Sequence, residues 1–350
     1  MQSHPGNPPS NKLPTGLSEA QVVNAVEESG YPLQIVVSEM LRSRFFVQQE
    51  WNYIDEDTKQ LRAIDILAEQ RLYNIKEKPQ PRIRPTLNLL VECKQSDLPF
   101  VFFLSPEKVI SREFPAIAGL FDDAIKIITD NDPSSWRISI IDTLGLTREP
   151  FILKDVEYSM TFSKCVRKGP SVELSGTEAF QGLVLPLVKS LRYFQKHEAP
   201  PKTAFYHDCH LVLAVAVLDA PMIAVRVKPN ANETIHMPWI RVVRHESIES
   251  EDWTERSRRY AIDVVHKDFF ETWINTHVAA YSKRFSEAAL RHQTEIATGQ
   301  GFVSNMWANR DKVEENLRPR LKKENIGRMG LVARNIAAKA GKLISGPDEN

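Results

Sequence analysis

The sequence is poor in several features that would assign it to a class at once. Its three cysteines, Cys93, Cys165 and Cys209, are far apart and odd in number, which argues against a disulfide framework and favours a reducing compartment. Its 45 basic and 45 acidic residues cancel, so no global electrostatic field draws the chain to nucleic acid or to a membrane. Any nucleic-acid site would therefore have to be a local basic surface.

Long apolar runs and glycine-rich loops are also missing. The longest apolar run, Leu211 to Leu218, is far too short to cross a bilayer. Residues 1–16 have no apolar core and no leading positive charge, unlike a signal peptide. The 14 glycines never form GxxxxGK[ST] or GxGxxG, the common phosphate-binding loops. We therefore expect a soluble, cytoplasmic protein with no membrane span and no such loop.

A chain of 350 residues with 42% hydrophobic residues is long enough for one large domain or two. Residues 1–16, rich in Pro, Asn, Ser and Gly, are expected to be a disordered tail. Residues 17–275 should form the main domain, in which about 105–170 has the character of an insertion. Residues 276–350 are expected to be a helical and basic C-terminal extension.

Apolar spacing predicts the main elements. Helices are predicted from the Ser18 cap to Gly30, from Tyr31-Pro32 onwards, over Ser175 to His197 with a kink or a break at Pro186, and over Asp268 to Thr298. Strands are predicted at Phe45–Tyr53, Leu61–Ala68, Thr86–Ser96, Trp239–Val243 and Tyr260–Val265. Leu211–Leu218 and Ala224–Val227 should be two central strands joined by a turn, and Phe121–Thr129 has helical spacing.

The stretch Thr86 to Ser96 carries the clearest chemical signal. Because side chains alternate along a strand, Glu92 and Lys94 project side by side while Cys93 points the other way. Asp65 interrupts the apolar strand upstream, and charged groups are costly to bury unless they are paired or coordinated. The two strands thus make a cage for a hard divalent cation with a positive group beside it. The alternative is an exposed edge strand with a surface ion pair, since the motif is short.

The predicted order of elements is a helix, three strands, a further helix and a strand. Ile64-Asp65 lies on the second strand and Glu92-Cys93-Lys94 on the third. This pattern resembles the PD-(D/E)xK nuclease superfamily. The usual proline before the aspartate is Ile64 here. The likeness covers roughly residues 18–230. It implies an α/β fold with a mixed sheet, namely a restriction-endonuclease-like αβββαβ core with an insertion and C-terminal helices. It also implies Mg²⁺- or Mn²⁺-dependent hydrolysis of phosphodiester bonds, in DNA more than in RNA.

The resemblance also implies roles for particular residues. Asp65 and Glu92 would hold one or two Mg²⁺ ions, and Lys94 would sit beside the attacking water. Glu39, on the preceding helix, would be the extra acidic residue near the metal, unless it is a solvated helical residue. Gln95 would contact phosphate or water. The chemistry agrees, since Mg²⁺ takes oxygen ligands and lowers the pKa of bound water, while a lysine balances developing negative charge.

Other segments leave alternatives open. The basic cluster Arg71, Lys76, Lys78, Arg82 and Arg84 is a candidate phosphate-contacting surface or a solvated hairpin tip. His207 to His210 concentrates metal-capable side chains, but no second pair of ligands completes a zinc site, which favours a loop leading into the next strand. The basic tail after Lys312 could bind nucleic acid, a protein partner or second copy, or an anionic membrane surface.

Two functions follow from these patterns. The first is a Mg²⁺-dependent nuclease, which the presence of all three motif residues favours. The second is a catalytically inactive nuclease-fold protein that acts as a nucleic-acid-binding or assembly subunit, with Glu92 and Lys94 as a surface ion pair. The neutral net charge counts mildly against independent tight binding to DNA, because counterion release requires a dense basic face.

Overall fold

The structure is a computed structural model, and it describes residues 3–110, 114–129, 135–247, 257–304 and 313–319. It confirms the predicted mixed α/β class, with one large sheet that contains both parallel and antiparallel strands. No helix in these ranges is long and apolar enough to span a membrane. Residues 3–17 contribute turns only.

The described residues form a large sheet of twelve strands. Ten of them lie side by side in the order β1-β2-β3-β10-β14-β13-β8-β4-β11-β12, while β5 pairs with β10 and β9 pairs with β8. A smaller sheet has the order β16-β15-β6-β7. The strands are β1 Phe46–Ile54, β2 Leu61–Arg71, β3 Ile83–Gln95, β4 Phe100–Leu104, β5 Ala116–Ala118, β6 Ala124–Ile128, β7 Ser135–Ser139, β8 Glu157–Lys168, β9 Ser171–Ser175, β10 His207–Asp219, β11 Met222–Arg226, β12 Glu233–His236, β13 Trp239–Ser247, β14 Ser257–His266, β15 Gln300–Phe302 and β16 Arg318–Pro319.

The helices cover both faces of the large sheet. They are α1 Glu19–Glu28, α2 Tyr31–Arg42, α3 Ile140–Thr143, α4 Pro150–Leu153, α5 Gly176–Ala179, α6 Leu185–His197, α7 Lys267–Thr272, α8 Ala279–Arg291, α9 Gln293–Thr298 and α10 Val313–Asn316. Ser18 caps α1 as predicted, since its hydroxyl oxygen accepts from the Gln21 N–H at 3.3 Å and its own N–H donates to Gln21 Oε1 at 2.8 Å. A short 3₁₀ turn, Leu146–Arg148, lies between α3 and α4.

The N-terminal part has the predicted order of elements. Helix α2 packs on one face of β1, β2 and β3 through Leu33, Val37 and Leu41. Helix α6 and the turn before it pack on the other face, where Leu183, Leu187 and Leu191 are buried as predicted. Strand β10 then runs parallel to β3 along its whole length, from His207 opposite Ile83 to Asp219 opposite Gln95. This parallel pair forms the centre of the fold.

The break predicted at Pro186 is present as a change of helix type. After α5 the chain makes a π-helical turn, Phe180–Val184, and α6 begins with Leu185 directly before the proline. Proline lacks an N–H, and it is tolerated in the first turn of a helix, where that donor has no partner within the helix.

The strands predicted at Leu211–Leu218 and Ala224–Val227 are both present and joined by a turn, but the second is not central in the sheet, and the helical spacing of Phe121–Thr129 does not produce a helix. Strand β11 is not a neighbour of β10, because Ala220-Pro221 ends β10 and β11 pairs with β4 and β12 instead. Phe100 N–H donates to the Pro221 carbonyl at 2.9 Å, so β4 and β11 continue side by side beyond the ends of β3 and β10. The stretch predicted as helical, Phe121–Thr129, contains strand β6, in which Ile125 and Ile127 alternate into the core.

The region expected as an insertion, about 105–170, and the expected C-terminal extension, 276–350, both contribute described residues to the core. Strand β8 joins the large sheet, and Phe151 and Tyr158 pack around the fully buried ion pair Arg241–Asp263. The chain is helical across residue 275, where a π-helical turn links α7 to α8, and α8 packs in the same core as α2. Most of the basic tail, residues 320–350 and Lys312, lies outside the described residues.

Candidate functional site

Asp65 and Glu92 lie next to each other where the pairing of β2 and β3 ends. The two strands are antiparallel with Ile66 opposite Val91, so the same register places Asp65 opposite Glu92. The backbone ladder stops there, because the Cys93 N–H donates to Asp65 Oδ2 at 2.6 Å instead of to a β2 carbonyl. The Asp65 carboxylate is thereby fixed against the backbone of β3, one residue from Glu92.

Glu92 is buried, and only one of its oxygens has a partner. Its side chain is 7% exposed, and Oε1 lies 2.7 Å from Lys94 Nζ. Oε2 is buried without a hydrogen-bond partner among the described residues. Burial and then the charge of Asp65 raise the pKa of Glu92 to about 7, although Lys94 opposes this shift. A buried carboxylate with a free oxygen requires a further positive or donating partner, which is what a bound cation provides.

The charges around Glu92 act on one another. Burial by itself would lower the pKa of Lys94, but the Glu92 charge and hydrogen bond outweigh burial and raise it, so this ammonium stays charged. Burial raises the pKa of Asp65, the Cys93 N–H and Lys94 oppose that shift, and the charge of Glu50 adds to it. The local charge is therefore dominated by carboxylates.

Glu50 is a third carboxylate at this position, and the sequence pattern did not identify it. On β1, Gln49 lies opposite Ile66 and Trp51 opposite Ile64, so Glu50 faces Asp65 across the pair of strands. The amide of Gln34, on α2, donates both to Glu50 Oε1 and to the Asp65 carbonyl oxygen, each at 2.9 Å. The Glu50 charge also raises the pKa of Glu92. Three consecutive strands thus each contribute one carboxylate.

The backbone at Glu50 is strained, and the side chains of β1 change faces at this residue. Glu50 has φ +51°, a left-handed conformation that costs a residue with a Cβ about 1–2 kcal/mol. Before it, Gln49 donates to Ser38 of α2 at 3.0 Å, and after it Trp51 packs against Tyr193 of α6. The side chains of β1 that point into the protein therefore switch from the α2 face of the sheet to the α6 face at Glu50. Strain of this kind is concentrated at functional sites.

The residues present fit a magnesium ion that keeps most of its waters. No three His, Cys, Asp or Glu side chains in the described part of the chain converge into a group that could hold a metal ion. Mg²⁺, however, is commonly held by one or two carboxylates together with waters and substrate phosphates. Asp65 and the free oxygen of Glu92 meet that requirement. The described residues do not form a closed cage of protein ligands.

Glu39 is not part of this cluster, contrary to the prediction. Its side chain is 67% exposed and forms an ion pair with Arg42 at 3.0 Å. Residues five apart on a helix point about 140° away from each other, so Glu39 faces solvent when Gln34 faces the sheet. Helix α2 therefore contributes a buried amide to the site and not a carboxylate.

The predicted phosphate contacts also lie elsewhere. Gln95 is exposed, and alternation along β3 directs it to the face opposite Glu92 and Lys94. Arg84 and Arg82 precede Glu92 by eight and ten residues, which places them about 26–33 Å away at the other end of the sheet. Arg84 is in addition paired with Asp208 at 3.0 Å.

The segment His207 to His210 begins strand β10 and is not a loop. His207 and Cys209 lie on one face of the strand, whereas Asp208 and His210 lie on the other. His210 Nδ1 is within hydrogen-bond distance of Thr86 Oγ1 and of the Asn88 amide, at 2.7 and 2.8 Å. This geometry explains why no zinc-type group is found here in the described residues.

Comparison of the chain with protein-family models, with curated proteins and with solved structures gives no match. The resemblance to the PD-(D/E)xK superfamily therefore rests on the order of the elements and on the positions of Asp65, Glu92 and Lys94. Glu50 could have been found from the sequence by pairing β1 with β2 across their turn, because that register places it opposite Asp65. Gln34 carried no comparable signal.

Proposed function

We propose that the protein is a Mg²⁺-dependent nuclease that hydrolyses phosphodiester bonds, in DNA more than in RNA. The observation that carries the proposal is the Glu92 carboxylate, which is buried next to Asp65 and Lys94 with Oε2 unpartnered. A structural ion pair between Glu92 and Lys94 alone does not require the half-buried carboxylate of Asp65 beside it, since like charges next to each other destabilise a fold.

Asp65 and Glu92 would hold the metal ion, and Glu50 is the next carboxylate in reach. When bound, Mg²⁺ would supply an activated water and offset the charge on the phosphate. The Cys93 N–H keeps Asp65 oriented, and Lys94 keeps Glu92 oriented. The half-exposed ammonium of Lys94 is placed to hold the attacking water and to balance negative charge as it develops.

The alternative is an inactive nuclease-fold protein that binds nucleic acid or serves in an assembly. Two observations favour it: the ion pair between Lys94 and Glu92 is complete without any metal, and no three-ligand group is formed by the described residues. In this case Lys94 and Glu92 would form only a local ion pair, and the site would turn over no substrate.

Cleavage of plasmid DNA, single-stranded DNA and RNA in Mg²⁺ or Mn²⁺ separates the two functions. We expect metal-dependent cutting by the native chain and a loss on the order of a hundredfold or more in Asp65→Asn and in Glu92→Gln. Glu39→Gln is the matched control, because it removes a carboxylate that is exposed and paired with Arg42, and it should cut normally.

Absence of metal-dependent cutting on all three substrates would reject the enzyme and leave the binding subunit. Equal residual cutting in all variants would identify a contaminating nuclease and count against the proposal in the same way. Metal binding is measured separately by the rise in unfolding temperature on adding Mg²⁺ or Mn²⁺. That rise should be present in the native chain and in Glu39→Gln, and reduced in Glu92→Gln.

A further inference from the structure

Two exposed aromatic side chains lie at the end of the sheet opposite Glu92. Phe205 and Tyr206, in the segment just before β10, are 61% and 48% exposed. Their rings are arranged edge to face with centroids 5.1 Å apart. Large aromatic rings are seldom left this exposed side by side without a binding role, because burying each would be favourable.

Arginine side chains hold both rings in place. The Arg82 guanidinium carbon lies 4.8 Å from the centroid of the Phe205 ring, and Arg82 Nε donates to the Phe205 carbonyl at 3.1 Å. The Arg84 guanidinium carbon lies 5.8 Å from the Tyr206 ring and is itself paired with Asp208. The rings are thus supported from one side and remain accessible from the other, which limits the entropy lost when a flat ligand stacks on them.

Basic side chains lie at this end of the sheet, at the end of β2, in the connection from β2 to β3 and in the segment leading into β10. They are Arg71, Lys76, Lys78, Arg82 and Lys202, and Arg82 is the one in direct contact with a ring. None of them forms an ion pair with any carboxylate in the described ranges, whereas Lys189, Arg192 and Lys196 on nearby α6 all pair with acids of the β1–β2 turn. We call these five residues together with Phe205 and Tyr206 the aromatic–basic surface. With Arg84 counted, basic side chains outnumber the acids at this end of the sheet, which are Glu69, Glu77, Glu198 and Asp208.

We propose that the aromatic–basic surface binds single-stranded nucleic acid, with bases stacked on Phe205 and Tyr206 and phosphates near the unpaired lysines and arginines. Stacking on exposed rings requires bases whose faces are free, and a duplex hides those faces. Basic side chains that are not neutralised by neighbouring acids are the ones that can release counterions from a phosphate backbone. The surface lies about 26–33 Å from Glu92, so binding there does not depend on cleavage.

Fluorescence anisotropy tests the proposal with a labelled oligodeoxynucleotide of about 16 nucleotides, single-stranded or annealed to its complement. EDTA is present so that no cutting occurs. We expect the single strand to bind more tightly than the duplex, and Phe205→Ala with Tyr206→Ala to weaken single-strand binding at least about fivefold. Phe205→Trp with Tyr206→Phe keeps both rings and should preserve binding.

Charge is tested separately with Arg82→Gln, which should weaken binding and reduce the dependence of affinity on salt by about one phosphate contact. Arg167→Gln removes an exposed arginine on the β8–β9 hairpin and is the matched control, with no expected effect.

The proposal is overturned if the double alanine variant has the same unfolding temperature as the native chain and binds the single strand equally well. It is equally overturned if the duplex binds as tightly as the single strand, or if neither binds and the surface instead takes an acidic protein. If the native chain cuts no substrate but binds the single strand, and the double alanine variant loses that binding, this proposal is supported and the nuclease is rejected.

Discussion

Glu92 should make the fold less stable as pH rises towards neutrality. Its pKa is raised from the ordinary value of 4.5 to about 7, mainly by burial and then by Asp65, and its side chain is 7% exposed. Between these two pH values the native state binds a proton at Glu92 that the unfolded chain has released. The free energy of unfolding therefore falls as pH rises through this window, by about 3 kcal/mol in total, at 1.36 kcal/mol per pKa unit.

The measurement is urea unfolding of the native chain and of Glu92→Gln at a series of pH values from about 4.5 to 8. Glutamine has the same shape and does not titrate, so the difference in stability between the two proteins should change by about 3 kcal/mol across the window. Adding Mg²⁺ should cancel the loss in the native chain, since a bound cation favours the charged carboxylate. Glu39→Gln is the control and should behave like the native chain, because that carboxylate is exposed. Parallel pH profiles for the native chain and Glu92→Gln would refute this account of the buried carboxylate.

Three further predictions test the site and its supports. Glu50→Gly relieves left-handed strain of about 1–2 kcal/mol but adds entropy to the unfolded chain and loses the hydrogen bond from Gln34, so the free energy of unfolding should change by less than about 1 kcal/mol, whereas stabilisation by Mn²⁺ in the same unfolding assay should weaken. Lys59→Gly, at φ +58°, is its control: it should gain stability with no change in the response to Mn²⁺, and an equal response in both variants would exclude Glu50 from the metal site. Lys94→Ala should fold and bind Mg²⁺ normally but lose on the order of a hundredfold in cleavage rate, and an unchanged rate would favour the binding subunit. Asp55→Ala should cost about 1.5–3 kcal/mol in urea unfolding because it removes a fully buried carboxylate that pairs with a lysine of α6 at 2.5 Å and with Arg62 at 2.9 Å, whereas Asp57→Ala, half exposed and 3.7 Å from the same lysine, should cost about 0–1 kcal/mol. The pKa of Asp55 is held well below its ordinary value, chiefly by the hydrogen bond from that lysine against the effect of burial, so this stability is present near neutral pH and is lost as pH falls into the acid range.

Local patterns were sufficient to predict the elements that surround the site. The alternation in β2 and β3 and the helical spacing of α6 are set by which side of each element is buried, and that information lies within a few residues of sequence. The opposition of Asp65 and Glu92 followed from it, because two neighbouring strands with one buried face admit a single register. The acidic cluster could therefore be placed in part without coordinates.

The errors arose where partners are distant in sequence. Strand β11 pairs with β4, more than a hundred residues earlier, and nothing in its apolar run specifies that partner. Glu39 and Gln34 both lie on α2, and choosing between them requires knowing which side of the helix meets the sheet at the level of Asp65. The basic cluster around Arg82 is adjacent in sequence to the motif strand but lies at its far end, because a strand of this length separates its two ends by tens of ångströms.

The position of the acidic cluster follows from how β1 is held on both faces of the sheet. On one side Gln34 of α2 bonds Glu50 and the backbone of Asp65, and on the other Lys189 of α6 binds Asp55 at the end of β1. The first anchor holds the left-handed residue itself and the second holds the end of the strand, so β1 cannot slide without breaking one of them. The charges of Asp65 and Glu50 both raise the pKa of Glu92 in this arrangement. At the proposed metal site, a divalent cation would offset that repulsion, which an ordinary surface ion pair does not require.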